Sequence, residues 1–133
     1  MASKKKILVV DDDDDVVESI KFNLEQMGFE VVMAYDGFDA FVQTVMEKPD
    51  LVVLDVMLPK ENGYRVSRAI KDGVSKGIYG KNIIVLLVTA RVLDEAEREK
   101  MFIGKSQAEF MMYKPFEMED LMRKVQELLA NEN

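Results

Sequence analysis

Leu51–Gly63 reads LVVLDVMLPKENG. Four apolar residues, Leu51 to Leu54, run straight into a carboxylate, Asp55, and Pro59 and Gly63 break the chain soon after. A continuous Val/Leu run between breakers predicts a strand buried on both faces, as in a parallel sheet. Asp55 then stands where that strand emerges at its carboxyl end, the edge at which open α/β sheets bind ligands. One such Asp alone reads as a strand-terminating residue in a solvated loop. Three further strand-like runs also end in chemically useful residues, and together they change the reading.

Upstream, Ile7–Val10 predicts a short buried strand that ends at Asp11 and Asp12. Asp14 or Asp15 is placed to cap the next helix, because a carboxylate accepts the free N–H groups there and suits the helix dipole. Val16 or Val17, Ile20, Leu24 and Met27 recur at helical spacing, and Gly28 stops the run. Glu30–Ala34 is the second strand. Asp36-Gly37 turns into a helix over 38–48 with Phe38, Phe41, Val42 and Val45 as its apolar stripe, ended by Pro49. Downstream, a helix over 63–72 turns Val66, Ala69 and Ile70 inward, and the segment 73–82, with three glycines, reads as an irregular loop. Ile83–Val88 is a fourth strand running into Thr89. An exposed helix over 94–105, with Ala96, Met101 and Phe102 as its apolar positions, leads to a fifth strand, Glu109–Tyr113. Lys114-Pro115 follows, and the last helix, Glu117–Ala130, carries Leu121, Val125, Leu128 and Leu129 on one face. Five strands alternating with five helices predict a doubly wound α/β fold with a five-stranded parallel sheet and right-handed crossovers.

At 133 residues the chain is one domain, able to bury roughly 70% of the surface its unfolded form exposes. A net charge of −7 argues against direct nucleic-acid binding, which draws on a basic surface. No apolar run reaches membrane-spanning length, and Lys4-Lys5-Lys6 leads into only four apolar residues before five aspartates, too few for a signal peptide. The absence of cysteine makes a cytoplasmic location the default and excludes disulfides and thiolate metal sites. The absence of histidine removes any imidazole base or ligand, so the chemistry falls to carboxylates, hydroxyls and amines.

A parallel sheet brings the carboxyl ends of its strands to one edge, here Asp11 and Asp12, Asp55, Thr89 and Lys114. Three carboxylates packed together raise one another's pKa unless a cation intervenes. Mg²⁺ answers that need, since it takes oxygen ligands, keeps several waters and is completed by a phosphoryl group. Lys114 adds a second positive charge and Thr89 a hydroxyl donor. Such a site suits a carboxylate that accepts a phosphoryl group as an acyl phosphate, with metal and fixed donors stabilising the transferred charge. Asp13 to Asp15 read as a solvated acidic turn. An EF-hand calcium loop is excluded by its missing central Gly and distal Glu. The methionines other than Met57 and Met111 read as core filler, and Arg91 as a solvated residue close to the site.

ILVVDD at 7–12, LVVLDVMLPKENG at 51–63, VTA at 88–90 and KPF at 114–116 resemble the receiver domain of two-component response regulators, in a single-domain, chemotaxis-regulator-like form. The four motifs occur in order across nearly the whole chain. The resemblance implies the flavodoxin-like strand order 2-1-3-4-5 and an Asp55 phosphorylated by a partner histidine kinase or histidine phosphotransfer protein, switching contacts with a downstream protein target. Asp12 resembles the direct Mg²⁺ ligand, Asp11 a ligand acting largely through water, and the Met57 backbone carbonyl the third protein ligand beside Asp55. Thr89 and Lys114 resemble the phosphoryl-binding hydroxyl and amine, and the Lys114–Pro115 bond is cis in the family.

Three departures concern output. Met111 stands where the family carries an aromatic switch residue, and Tyr113 lies on the same strand face, so either side chain could serve. The segment 73–82 and the span from Thr89 to Lys114 are both long. Gln107 replaces the glycine usual before the fifth strand. Competing readings are a degenerate receiver that binds partners without phosphorylation, an acid-metal phosphohydrolase, and a flavodoxin-like FMN binder. The phosphohydrolase reading lacks a general acid, since Met57 stands two residues after Asp55. The FMN reading lacks a Ser/Thr/Gly-rich loop after the first strand.

Overall fold

The computed structural model of the chain describes residues 4–90, 96 and 106–131. Its strands β1 (Lys6–Val10), β2 (Glu30–Ala34), β3 (Leu51–Asp55), β4 (Ile84–Thr89) and β5 (Phe110–Tyr113) form one parallel sheet in the order β2-β1-β3-β4-β5. β3 and β4 are buried along their whole lengths, as continuous apolar runs covered on both faces must be. Helices α1 (Asp14–Gln26), α2 (Gly37–Glu47), α3 (Gly63–Ser75) and α4 (Met118–Ala130) pack against the two faces. Among the described residues there are thus four helices, where the sequence predicts five. The helix expected over 94–105 falls outside the described residues apart from Ala96, as does Arg91.

Strand alternation divides the core in two. Leu8, Val10, Val52, Leu54, Val85 and Leu87 meet Tyr64, Val66 and Ile70 of α3 on one face. Ile7, Val9, Leu51, Val53, Leu86 and Val88 meet Val17, Ile20 and Leu24 of α1, and Leu121, Val125 and Leu129 of α4, on the other. The inward positions read for α1 and for the last helix are therefore those observed, with Met27, the residue that ends α1, and Leu128 only partly buried. On α3, Ala69 lies at the margin while Ser67 and Lys71 are buried.

Four expectations require correction. Asp13, not Asp14 or Asp15, caps α1, its carboxylate accepting the Asp15 and Val16 amides at 2.9 and 3.4 Å. The loop expected from Gly73 begins later, because α3 continues to Ser75. Gly73 is tolerated there because the Tyr79 ring takes the space of its missing side chain, with Cε2 2.6 Å from where a Cβ would stand. The third correction concerns α2, whose large apolar residues do not face the core. Ala40 and Thr44 are fully buried, whereas Phe38 is 67% exposed and Phe41, Val42 and Val45 are exposed with it. Helical spacing identifies a stripe but does not say which side of the helix the sheet will take. Met46, read as core filler, is 73% exposed on the same outer side.

The edge strand β5 is held by a charge pair between the buried Lys71 and the more exposed Glu109, which the pattern of apolar residues could not announce. Lys71 donates to Glu109 Oε2 at 2.5 Å, to the Ile83 carbonyl at 2.8 Å and to Asn82 Oδ1 at 3.0 Å. Glu109 Oε1 in turn accepts the Val85 amide at 2.9 Å. Just before β5, Gln107 adopts φ 58°, the left-handed conformation that favours glycine. An L-residue there costs about 1–2 kcal/mol, partly offset by the greater entropy that glycine gives the unfolded chain. Gln107→Gly should therefore stabilise the protein by about 0.5–1 kcal/mol, read as a raised urea midpoint with unchanged slope.

Candidate functional site

β1 and β3 are adjacent, with Val10 opposite Leu54, so the residues following these strands emerge side by side. This places carboxylate oxygens of Asp11, Asp12 and Asp55 within 4.8 Å of one another. Asp11 and Asp55 are buried, whereas Asp12 is exposed. Lys114, one residue beyond β5, reaches back across the sheet edge. Its ammonium donates to Asp11 Oδ2 at 2.7 Å and to Asp55 Oδ2 at 3.3 Å. The Lys114 amide is fixed by the Thr89 carbonyl at 2.8 Å, and the Lys114–Pro115 peptide is cis.

The remaining oxygens are also held. Asp55 Oδ1 accepts the Met57 amide at 3.1 Å, and Asp11 Oδ1 accepts the Asp13 amide at 3.0 Å. Met57 thus lies beside Asp55 through its backbone, while its side chain is exposed. Thr89 ends β4 fully buried, one residue past the Val88 that pairs with Asp55. The structure accordingly brings Asp11, Asp12, Asp55 and Lys114 together in one cluster, with Met57 and Thr89 at its margins.

Burial pushes the Asp55 carboxyl above its ordinary range, and the Asp11 charge adds to that effect. The Met57 amide and Lys114 oppose the shift without reversing it. For Lys114, burial works against the ammonium, yet the bond to Asp11 and the charges of Asp55 and Asp11 outweigh it and leave the pKa raised. A negative cluster only partly neutralised by one lysine fits a further cation, and its oxygen donors suit a hard divalent ion over softer metals.

Gly63 belongs to the site, although the sequence suggests only a chain breaker there. A Cβ on Gly63 would stand 2.4 Å from the Asp55 carbonyl oxygen and 2.6 Å from Val56 Cα. The N-terminus of α3 therefore presses directly on the backbone that carries Asp55. The Gly63 amide donates to the Val56 carbonyl at 2.9 Å, and the Asn62 side chain caps the helix through the Tyr64 amide at 2.7 Å. The Asn-Gly pair at 62–63 is the local signal for that cap.

On β5, Met111 packs partly buried against the α3 side of the core. Tyr113 pairs with Thr89 in register, and its hydroxyl is buried without a hydrogen-bond partner among the described residues. Among the described residues no helix is long and apolar enough to cross a membrane.

A family model described as the response regulator receiver domain matches residues 7–126. The alkaline phosphatase synthesis transcriptional regulatory protein PhoP of Bacillus subtilis is 37% identical over 114 residues, which are 86% of this chain and 44% of that protein. The chain thus spans less than half the length of the curated relatives it matches. The Francisella response regulator 1452 receiver domain superposes with a TM-score of 0.82 at 26% identity, covering 98% of this chain and 100% of the other. The BeF3-activated DrrB receiver domain superposes with a TM-score of 0.79 at 31% identity, covering 96% and 99%.

The raised Asp55 pKa has a consequence for stability. Asp55 has an ordinary value of 3.8 and a higher one when folded, so its stabilising contribution is complete below 3.8 and lost as pH rises through the folded value. Asp55→Asn should therefore raise the melting temperature of the metal-free protein at neutral pH, since Lys114 keeps Asp11 as its partner. That gain should vanish as pH falls below 3.8 in a series of thermal melts.

Proposed function

Since the chain belongs to the response regulator receiver domain family, we propose that it signals by accepting a phosphoryl group on Asp55. The donor is a phosphohistidine of a histidine kinase or a histidine phosphotransfer protein, and the readout is altered contact with a downstream protein target. The observation that carries this reading is the convergence of Asp11, Asp12 and Asp55 around a carboxylate held by Lys114.

In the reaction, an Asp55 carboxylate oxygen attacks phosphorus, the donor N–P bond breaks with its electron pair going to the imidazole, and an acyl phosphate results. The Met57 amide on Oδ1 and the Lys114 ammonium on Oδ2 fix the orientation of the nucleophile. Lys114 then follows the charge onto a phosphoryl oxygen, and the Thr89 hydroxyl donates to another. Asp12, Asp55 and the Met57 carbonyl would hold Mg²⁺, with Asp11, the partner that Lys114 holds more closely, acting through water. Bound there, the ion would neutralise charge on the transferred group. On this reading the 133 residues form one cytoplasmic receiver domain that neither binds nucleic acid directly nor inserts into membrane. Beyond its own phosphorylation and dephosphorylation it has no enzymatic turnover.

Incubation with acetyl phosphate and Mg²⁺ should add a single phosphoryl group by intact mass, and Asp55→Asn should abolish it. Label that persists in that variant, on Ser or Thr, would refute Asp55 as the acceptor. In a titration followed by thermal melting, Asp12→Ala should lower Mg²⁺ affinity at least tenfold, a loss of about 1.4 kcal/mol. Unchanged affinity would remove Asp12 from the ligand set.

Output follows from the residues on β5. Met111 fills the position of the aromatic switch, but its three rotatable bonds specify a place less sharply than a ring. Tyr113, which pairs with Thr89 in register and buries its hydroxyl, is the alternative route. Amide shifts induced by a beryllofluoride mimic should therefore be modest across 106–130 in wild type. They should shrink further in Tyr113→Ala or grow in Met111→Tyr. Large shifts that neither substitution alters would refute both routes.

A further inference from the structure

We propose that the outer face of α2 is a self-association surface, on which a second copy of this chain docks its own α2 antiparallel about a two-fold axis. The face is laid out as an interface. Phe38, Phe41, Val42, Val45 and Met46 follow i, i+3, i+4, i+7 and i+8 spacing, and all are exposed. Asp39 is the sole charge from residue 37 to residue 46. Such a stripe presents on the order of 400 Å² of apolar surface, a size at which exposed patches mark interaction sites.

The inner side of the helix explains why these residues cannot turn inward. Gly37 lies so close to the loop after β3 that a Cβ would stand 2.6 Å from the Glu61 carbonyl oxygen. Ala40 and Thr44 fill the rest of the contact completely. Small residues seat α2 tightly and leave no volume for a phenyl ring, so the large apolar side chains stay on the far side. No described residue covers them.

The occupant follows from symmetry and charge. The stripe is centred on Val42, with Phe38 four residues before it and Met46 four after. A two-fold axis at Val42 therefore sets Phe38 of each copy against Met46 of the other, a favourable sulfur–aromatic pairing. Phe38 and Phe41 form one wall of a groove whose other wall is Arg65, Val66 and Ala69 of α3. The Met46 thioether of the second copy fits that groove. The ends of the helix complement each other in the same arrangement. Lys60 and Arg65, with side chains 67% and 80% exposed and paired at the surface with Asp36 and Glu61, flank the amino-terminal end, and Glu47, paired with Lys6, stands at the carboxyl-terminal end beside the exposed Lys48. Antiparallel apposition brings Lys60 and Arg65 of one copy to Glu47 of the other and opposes the helix dipoles favourably. The two stripes with their charged rims together bury roughly 1,200 Å², the lower bound for a specific interface.

Sedimentation velocity from micromolar to millimolar protein should show a monomer–dimer equilibrium. Phe41→Glu should weaken it at least tenfold and Arg65→Glu several-fold, with unchanged circular dichroism in both. Because the chain has no cysteine, Val42→Cys introduces a single thiol on the proposed axis. Under mild oxidation it should form a disulfide-linked dimer far faster than Gln126→Cys on α4. A wild type that stays monomeric at every concentration would overturn the proposal. So would a dimer indifferent to Phe41→Glu, or equal cross-linking of the two cysteine variants.

Discussion

Repulsion among carboxylates is the constraint on which this molecule is built. Asp11 and Asp55 are buried side by side with Asp12 next to them, an arrangement that costs stability in any isolated fold. Lys114 relieves it by reaching both buried carboxylates at 2.7 and 3.3 Å. One positive charge against three negative ones leaves the cluster under-neutralised, and the charge of Asp11 adds to the burial that shifts Asp55 upward. The same imbalance makes the site receptive to a cation. A protein that merely needed stability would have replaced one of these aspartates by a neutral residue.

Everything that holds the cluster in place is secondary structure used as a positioning device. The strand order puts β1 beside β3, so Asp11 and Asp55 become neighbours although 44 positions separate them in the sequence. β4 and β5 extend the sheet on the far side of β3, and the cis Lys114–Pro115 peptide follows directly where β5 ends. Beneath Asp55, α3 is pressed against the strand by a glycine that admits no Cβ, so its backbone rests on rigid structure. The pair of buried Lys71 with Glu109 holds the start of β5 to β4 and α3. Exposed ion pairs elsewhere, such as Arg123 with Asp120 or Lys124 with Glu127, add little to stability.

Much of this is legible in one dimension. Runs such as Leu51–Leu54 and Ile83–Val88 announce buried strands because a parallel sheet leaves no polar face, and α1 and the last helix show their inward sides by spacing alone. The residues that terminate strands also declare themselves, because carboxylate, hydroxyl and amine recur at the same point of successive units. What escapes the sequence is whatever depends on a particular neighbour. Gly73 looks like a helix stop until Tyr79 is seen in its side-chain space. Lys71 and Glu109 look like surface charges until the fold brings them together. Asp13 cannot be told from Asp14 or Asp15 as a cap, because five aspartates in a row offer the same chemistry at each position.

The outward face of α2 is the most instructive of these misreadings. An amphipathic stripe is ordinarily taken to face the core, since burial of apolar area drives folding. Here the stripe of Phe38, Phe41, Val42 and Val45 has a rival, the small side of Gly37, Ala40 and Thr44, and the rival faces the core. Close approach decides the contest. With the Glu61 carbonyl where a Cβ of Gly37 would be, α2 cannot sit far enough from the loop after β3 to accommodate rings beneath it. That loop is also the segment running from Asp55 to α3. The packing that fixes the backbone around the phosphoacceptor candidate is therefore the same packing that turns four large apolar side chains toward solvent. Contact geometry at the site and an unpaired apolar surface at the side of the molecule are two results of one close approach.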